Sequence, residues 1–347
     1  MNPTKILFRF DASDRIGYGH AIRSFALSEE FAARGYAPMF LVTPQSVDLL
    51  LSLGITREAI HTLSCTPYTE QDSTLTINLA NELNCSWTIL DGYSFSKNYQ
   101  TAIRLGAATS KVLVIDDGII SDFDCEAILN QNLNAERDIK YTSDPKTKLL
   151  LGSSYTLFRK TFREAQSNPL RPEALNITLT FGGADTHNFT ALMLRALIQS
   201  GAIAGRSTRV ILGGAYGHHE SLKDIPGIDG HNIELITFSP NIIEHYLWSD
   251  LVISAAGSSA WELALLKIPM ALIITADNQR AVANPLADRG AAIILGDYQS
   301  FNPEQAACDV SSIIGSYTKR TELSTKCGDL IDCHGARRVV DALEMMS

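Results

Sequence analysis

The segment Asp11-Ala12-Ser13-Asp14-Arg15-Ile16-Gly17-Tyr18-Gly19-His20 follows the apolar run Ile6-Leu7-Phe8-Arg9-Phe10 and sets a histidine directly after a Gly-x-Gly turn. A histidine at the start of a helix meets the positive end of the helix dipole, which disfavours the imidazolium and suits a ring that accepts a proton. His20 is therefore the candidate general base. Gly17 and Gly19 let backbone come close to a ligand. A dinucleotide fingerprint does not fit: the third glycine of G-x-G-x-x-G would fall at Ile22, and the expected acid about 20 residues on is missing. Arg9, Asp11 and Ser13 surround the turn. Either Asp11 and Ser13 satisfy loop amides, or Asp11 orients His20 and the group contacts hydroxyls of a ligand.

A second candidate lies in Ser254-Ala255-Ala256-Gly257-Ser258-Ser259-Ala260-Trp261-Glu262, where an apolar strand runs into a helix through small residues. The Ser258 and Ser259 hydroxyls and nearby amides suit a diphosphate, and Glu262 could accept both hydroxyls of a ribose. The alternative makes Ser258 an N-cap and Glu262 part of a capping box. Gly182-Gly183-Ala184-Asp185 forms a similar strand-end turn. His218-His219-Glu220 reads as a solvated helix start, and no metal motif, Gly-x-Ser-x-Gly elbow or P-loop lysine is found, so neither metal nor cofactor is expected.

The elements that must position these residues alternate between short apolar runs and helical segments, the pattern of repeated βα units around parallel sheets. Strands are predicted at Ile6–Phe10, Met39–Val42, Thr88–Asp91 and Val112–Asp116, with helices beginning near His20, Pro44, Asp72 and Ser96. The pattern restarts at Ile177–Phe181 and continues at Arg209–Leu212, Ile233–Ile236, Leu251–Ser254 and Met270–Ile274. With 347 residues, more than one core of roughly 250 to 300 residues holds, the chain divides into domains 1–164 and 173–347 across the polar, proline-bearing linker 165–172. Ligands of open α/β sheets bind beyond the carboxyl ends of the strands, so the two sheets are expected to face a central cleft.

The formal net charge of -9, without a basic block, argues against nucleic acid as a partner. No apolar run approaches membrane-spanning length and no signal segment is evident, so a cytoplasmic protein without stable membrane insertion is expected. The scattered cysteines read as free thiols.

Taken together, these segments resemble the UDP-2,4-diacetamido-2,4,6-trideoxy-β-L-altropyranose hydrolases of pseudaminic acid biosynthesis. The strongest element is Phe8-Arg9-x-Asp11-x-Ser13-x-x-Ile16-Gly17-x-Gly19-His20-x-x-Arg23, where the family places its catalytic histidine. Asp91-Gly92-Tyr93 matches the site of an active-site tyrosine, and Asp116-Asp117, Leu129-Asn130-Gln131-Asn132 and Gly152-x-x-Tyr155-x-Leu157-x-Arg159 match further motifs. Asp332-Cys333-His334-Gly335-Ala336-Arg337-Arg338 looks like a terminal Asp-Gly-x-Gly-Ala-x-Arg motif in which Cys333 replaces a glycine.

The resemblance implies a glycosyltransferase-B-type fold of two Rossmann-like domains. It sets Gly182, Gly183, Asp185, Ser258, Ser259, Glu262 and Asn278-Gln279 on the nucleotide side, with UDP held mainly by the second domain and the sugar facing the first; Arg9, Asp11, Gly17, Gly19, Tyr93 and Asn278 are expected to bind the substrate. The implied reaction is attack of water on the anomeric carbon of the UDP-linked diacetamido-trideoxy sugar, with inversion and His20 as base. The alternatives are an inverting UDP-sugar glycosyltransferase of the same fold and a non-catalytic nucleotide-sugar binding protein.

Overall fold

A computed structural model describes residues 3–13, 17–237, 239 and 241–346. The chain forms two compact units, Met1–Arg163 with Cys333–Ser347, and Glu164–Asp332.

Unit 1 contains β1 (Lys5–Phe10), β2 (Ala37–Val42), β3 (Ile60–Thr62), β4 (Cys85–Asp91), β5 (Lys111–Ile115), β6 (Ala127–Asn130) and β7 (Lys148–Leu151). They form one sheet in the order β3-β2-β1-β4-β5-β6-β7. Every pairing in it is parallel. The two-residue alternation of β1 sends Ile6, Phe8 and Phe10 to one face, against Ala26, Leu27 and Phe31 of the helix Gly19–Ala33. Leu7 joins the opposite core with Leu90, Val114, Tyr99 and Ile103. Both faces are covered, as a parallel sheet requires.

Unit 2 repeats the plan with β8 (Asn176–Thr180), β9 (Ser207–Leu212), β10 (Asn232–Thr237), β11 (Leu251–Ala255), β12 (Met270–Ile274) and β13 (Ile293–Asp297). Its order is β10-β9-β8-β11-β12-β13, again wholly parallel. Each unit therefore has a topological switch point, between β1 and β4 in the first and between β8 and β11 in the second.

The expected strands are all present. Four more were not legible: β3, β6, β7 and β13. The first three have only three or four residues, too short for a periodic signal to stand out.

Two boundaries differ from the expected domains. Residues 165–172 do not hang free between cores: Asn168 Nδ2 donates to Leu247 O at 2.9 Å, and Arg320 Nη2 donates to Arg171 O at 3.0 Å and Pro172 O at 2.7 Å. The chain end leaves unit 2. The helix Gly335–Glu344 buries Val339, Val340 and Leu343 in the unit 1 core. This contact explains part of the terminal motif, because a Cβ on Gly335 would lie 2.1 Å from Thr156 O. Only glycine allows that approach. Arg338 Nη1 adds a hydrogen bond to Ser154 O at 2.8 Å, so the terminal motif grips the Gly152–Arg159 motif.

Each of Cys65, Cys85, Cys125, Cys308, Cys327 and Cys333 is a free thiol. Among the described residues no helix is long and apolar enough to cross a membrane.

Candidate active site

At the switch point of unit 1, β1 runs into a turn closed by Gly17 N donating to Ser13 O at 2.7 Å. Gly17 takes φ 88° there, a backbone that side chains disfavour. Ile16 of the motif lies outside the described residues. Tyr18 precedes the helix Gly19–Ala33 without a side-chain cap, and no acid occupies the first turn. His20 thus sits in the first turn of a helix whose N-cap residue makes no side-chain cap hydrogen bond. Gly19 is exposed, and a Cβ there would touch nothing within 4 Å.

His20 is buried, and its Nδ1 lies 2.7 Å from Asp91 Oδ1 at the carboxyl end of β4. Two bare acceptors would repel at that distance, so Nδ1 carries the hydrogen, and it is Nε2 that holds the lone pair of the neutral ring. Asp91 also accepts from Arg23 Nε at 3.0 and 2.9 Å, from Arg23 Nη2 at 2.6 Å and from Ser24 Oγ at 2.9 Å. Burial alone would push the Asp91 carboxyl up. The Arg23 charge and the hydrogen bonds from His20 and Arg23 overcome it and hold the group at about 2. Tyr93 packs its ring edge-on against His20, with centroids 4.7 Å apart, and remains 37% exposed.

In unit 2, Gly182 and Gly183 follow β8, Gly257 to Ser259 follow β11, and Asn278 lies in the turn Asp277–Gln279 after β12. These strands are adjacent and parallel, so the three segments lie together at the carboxyl end of the sheet. Gly257 is the N-cap of the helix Ser258–Leu265, and no side chain caps it. The capping-box alternative with Ser258 as the cap is therefore not what forms. Ser258 and Asn278 are exposed, and Ser259 and Glu262 are half-buried.

Residues 178–325 match the glycosyltransferase family 28 C-terminal domain. MurG of Acinetobacter baumannii superposes with a TM-score of 0.67 at 17% identity, over 99% of this chain and 100% of that one. The protein has the glycosyltransferase-B fold. A second structure with this fold is the UDP-GlcNAc 2-epimerase of Neisseria meningitidis bound to UDP-GlcNAc, with TM-score 0.65 and 13% identity, over 99% of this chain and 100% of that one. In sequence, the chain is similar to the UDP-2,4-diacetamido-2,4,6-trideoxy-β-L-altropyranose hydrolase of Campylobacter jejuni. The two are 27% identical over 291 residues, 82% of this chain and 97% of the relative. The resemblance drawn from the motifs thus extends along most of this glycosyltransferase-B chain.

Three expected contacts find other partners. Arg9 is fully buried: Nε and Nη2 donate to Asp72 at 3.0 and 2.7 Å, and Nη1 donates to Phe10 O at 2.9 Å. Its guanidinium is taken up inside the fold rather than offered to a sugar. Asp11 accepts from Thr43 N at 3.1 Å and pairs with Arg9 Nη1 at 2.9 Å, while Asp91 holds His20. The loop-amide account of Asp11 is the one the geometry favours. Asp185 accepts from Phe189 N at 2.9 Å and Thr190 N at 2.8 Å, capping the helix Phe189–Gln199 in place of a phosphate.

Sequence reasoning did not single out Asp91 or Arg23 for a role in chemistry. A signal existed for both. Asp91 ends an apolar run, and Arg23 stands three residues after His20, on the same helical face.

Proposed function

We propose that the chain hydrolyses a UDP-linked amino sugar at the anomeric carbon. The observation that carries this reading is the 2.7 Å contact of His20 Nδ1 with Asp91, which leaves Nε2 as the proton acceptor. In the proposed step, a water oxygen bonds to the anomeric carbon as the bond from that carbon to the UDP oxygen breaks, with inversion. The proton of the water passes to His20 Nε2, and UDP leaves with the bonding electron pair.

A positioned base contributes about 10² to 10⁴ in rate, so stabilisation of the departing diphosphate must supply much of the rest. We assign that task to the Gly182 and Gly183 turn and the uncapped helix start at Ser258 and Ser259, where amide N–H groups and the helix dipole favour an anion. Glu262 is assigned to the ribose hydroxyls, and Tyr93 and Asn278 to substrate placement. Gly19 supports a ligand close to the backbone, since among the described residues nothing lies within 4 Å of a Cβ placed there. The similarity to the Campylobacter jejuni hydrolase favours its UDP-diacetamido-trideoxy sugar as substrate; pseudaminic acid biosynthesis as the setting and a cytoplasmic location belong to the same proposal.

A glycosyltransferase remains the second reading, favoured by the family 28 domain and the MurG-like fold. Incubation with UDP-sugars without an acceptor separates the two. Release of UDP that is lost in His20→Asn while UDP binding persists supports hydrolysis; release only when an acceptor alcohol is added supports transfer. A protein that binds UDP-sugars and releases no UDP under either condition is a binding protein.

A further inference from the structure

His20 and Arg23 share one helical face, and both reach Asp91. The two neighbours act on the ring in opposite senses. Asp91 favours a protonated imidazole, whereas the Arg23 cation opposes one. Arg23 Nη2 lies 3.1 Å from His20 Nδ1. Because Nδ1 already carries the hydrogen shared with Asp91, this approach is a contact between a cation and an N–H, not a hydrogen bond.

Arg23 does not hold this place unaided. Its Nη1 donates to Asp117 Oδ1 at 2.7 Å, in the loop after β5. That loop is tied down by Asp116, which accepts from Gly118 N at 2.6 Å, Ile119 N at 3.2 Å and Ile120 N at 3.1 Å. Tyr141 donates its hydroxyl to Asp116 at 2.9 Å and receives Asn130 Nδ2 at 2.7 Å. The Asp116-Asp117 and Asn130 motifs thus form a bracket across the ends of β5 and β6 that fixes the guanidinium. Burial works against the Arg23 charge, and Asp117 and Asp91 keep it in place. Among the described residues, the groups facing His20 are Asp91 and Tyr93 after β4 and Arg23 on its own helix, with Asp117 behind Arg23.

We propose that Arg23, braced by Asp117, is a positioning residue that offsets the Asp91 charge, so that Asp91 orients the His20 ring without locking it as an imidazolium. For catalysis this rests on the reading of His20 as base, but the electrostatic balance is measurable without any substrate.

The test is a pH titration of the His20 imidazole by carbon-edited NMR on the full chain, with the resonance assigned by its loss in His20→Asn. Removing the cation in Arg23→Gln leaves the ring beside a carboxylate whose charge Arg23 no longer offsets, and the titration midpoint rises by about one pH unit or more. Arg23→Lys keeps the charge and returns the midpoint most of the way toward wild type. Asp117→Asn removes a negative charge from behind the guanidinium, and the midpoint falls by a smaller amount.

Opposite signs in the arginine and aspartate variants are what a merely structural role does not produce. Unmoved midpoints, or a shift of the same sign in Arg23→Gln and Asp117→Asn, overturn the proposal. If Arg23→Gln does not fold, Asp117→Asn decides by itself, since Asp117 is partly exposed. Wild-type protein that releases no UDP while the midpoints move as stated would sink the hydrolase reading and leave this one standing.

Discussion

His20 Nδ1 donates to Asp91 Oδ1 across 2.7 Å, from the first turn of a helix to the end of the neighbouring strand β4. The carboxylate is itself held by Arg23 and Ser24, so ring orientation and tautomer are fixed together. The same arrangement directs Nε2 away from the acid that holds Nδ1, as a general base requires.

Replacing His20 by Asn should lower the turnover number for UDP release by about 10² to 10⁴ while leaving UDP affinity within about twofold. Asp91→Asn should lose a similar factor, because an amide can offer N–H to Nδ1 and turn the lone pair away from water. Steady-state kinetics with UDP calorimetry checks both. Full activity in either variant removes the pair from the mechanism.

The Asp91 carboxyl is held at about 2 in the folded chain against an ordinary 3.8. A depressed acid stabilises the fold above its unfolded value and loses that contribution as pH falls through its folded value. The difference corresponds to about 2 kcal/mol, present above about pH 4 and lost toward pH 2. Urea denaturation of wild type and Asp91→Asn should show stabilities that converge over this window. A constant gap between them would contradict the assignment.

Gly17 and Gly19 should respond differently to alanine. Gly17→Ala forces a side chain into φ 88° and should cost about 1 kcal/mol of stability. Gly19→Ala meets open space in a helix and should leave stability unchanged or slightly raised, yet increase KM if a ligand uses that space. Denaturation curves and kinetics on the same two proteins separate folding from binding.

Asp185→Ala should destabilise unit 2 by about 0.5 to 2 kcal/mol through the lost cap of the helix Phe189–Gln199. UDP affinity should stay within about twofold, whereas substitution of Ser258 and Ser259 together by bulkier Val should weaken it by tenfold or more. A large loss of UDP affinity in Asp185→Ala, with unchanged stability, would return that carboxylate to the ligand.

Leu343→Ala probes the returning chain end. Leu343 is fully buried in the unit 1 core, and its truncation should cost about 2 to 5 kcal/mol. If the chain end packed instead on unit 2, unfolding of unit 1 followed by its own Trp87 would not change.

The apolar runs of β1, β4, β8 and β11 were legible because a strand buried on both faces needs continuous apolar sequence, and each expected turn falls at the end of such a run. The glycines and small residues mark those strand ends in the sequence itself. Arg9, Asp11 and Asp185 could not be read with equal success. A polar residue at a strand end looks the same in sequence whether it faces a ligand, an arginine or the amides of the next helix.

The sequence by itself determined two parallel α/β units, the turns at their strand ends and His20 as the residue to watch, since hydrophobic pattern and turn chemistry are local properties. Only tertiary structure decided that Asp91, 71 positions away, holds the ring. It also decided that Asp72 and Asp11 take up Arg9 and that the last helix leaves unit 2 for unit 1. Those outcomes depend on which strands become neighbours in the sheet, and that order is set by the packing of the whole unit rather than by any segment within it.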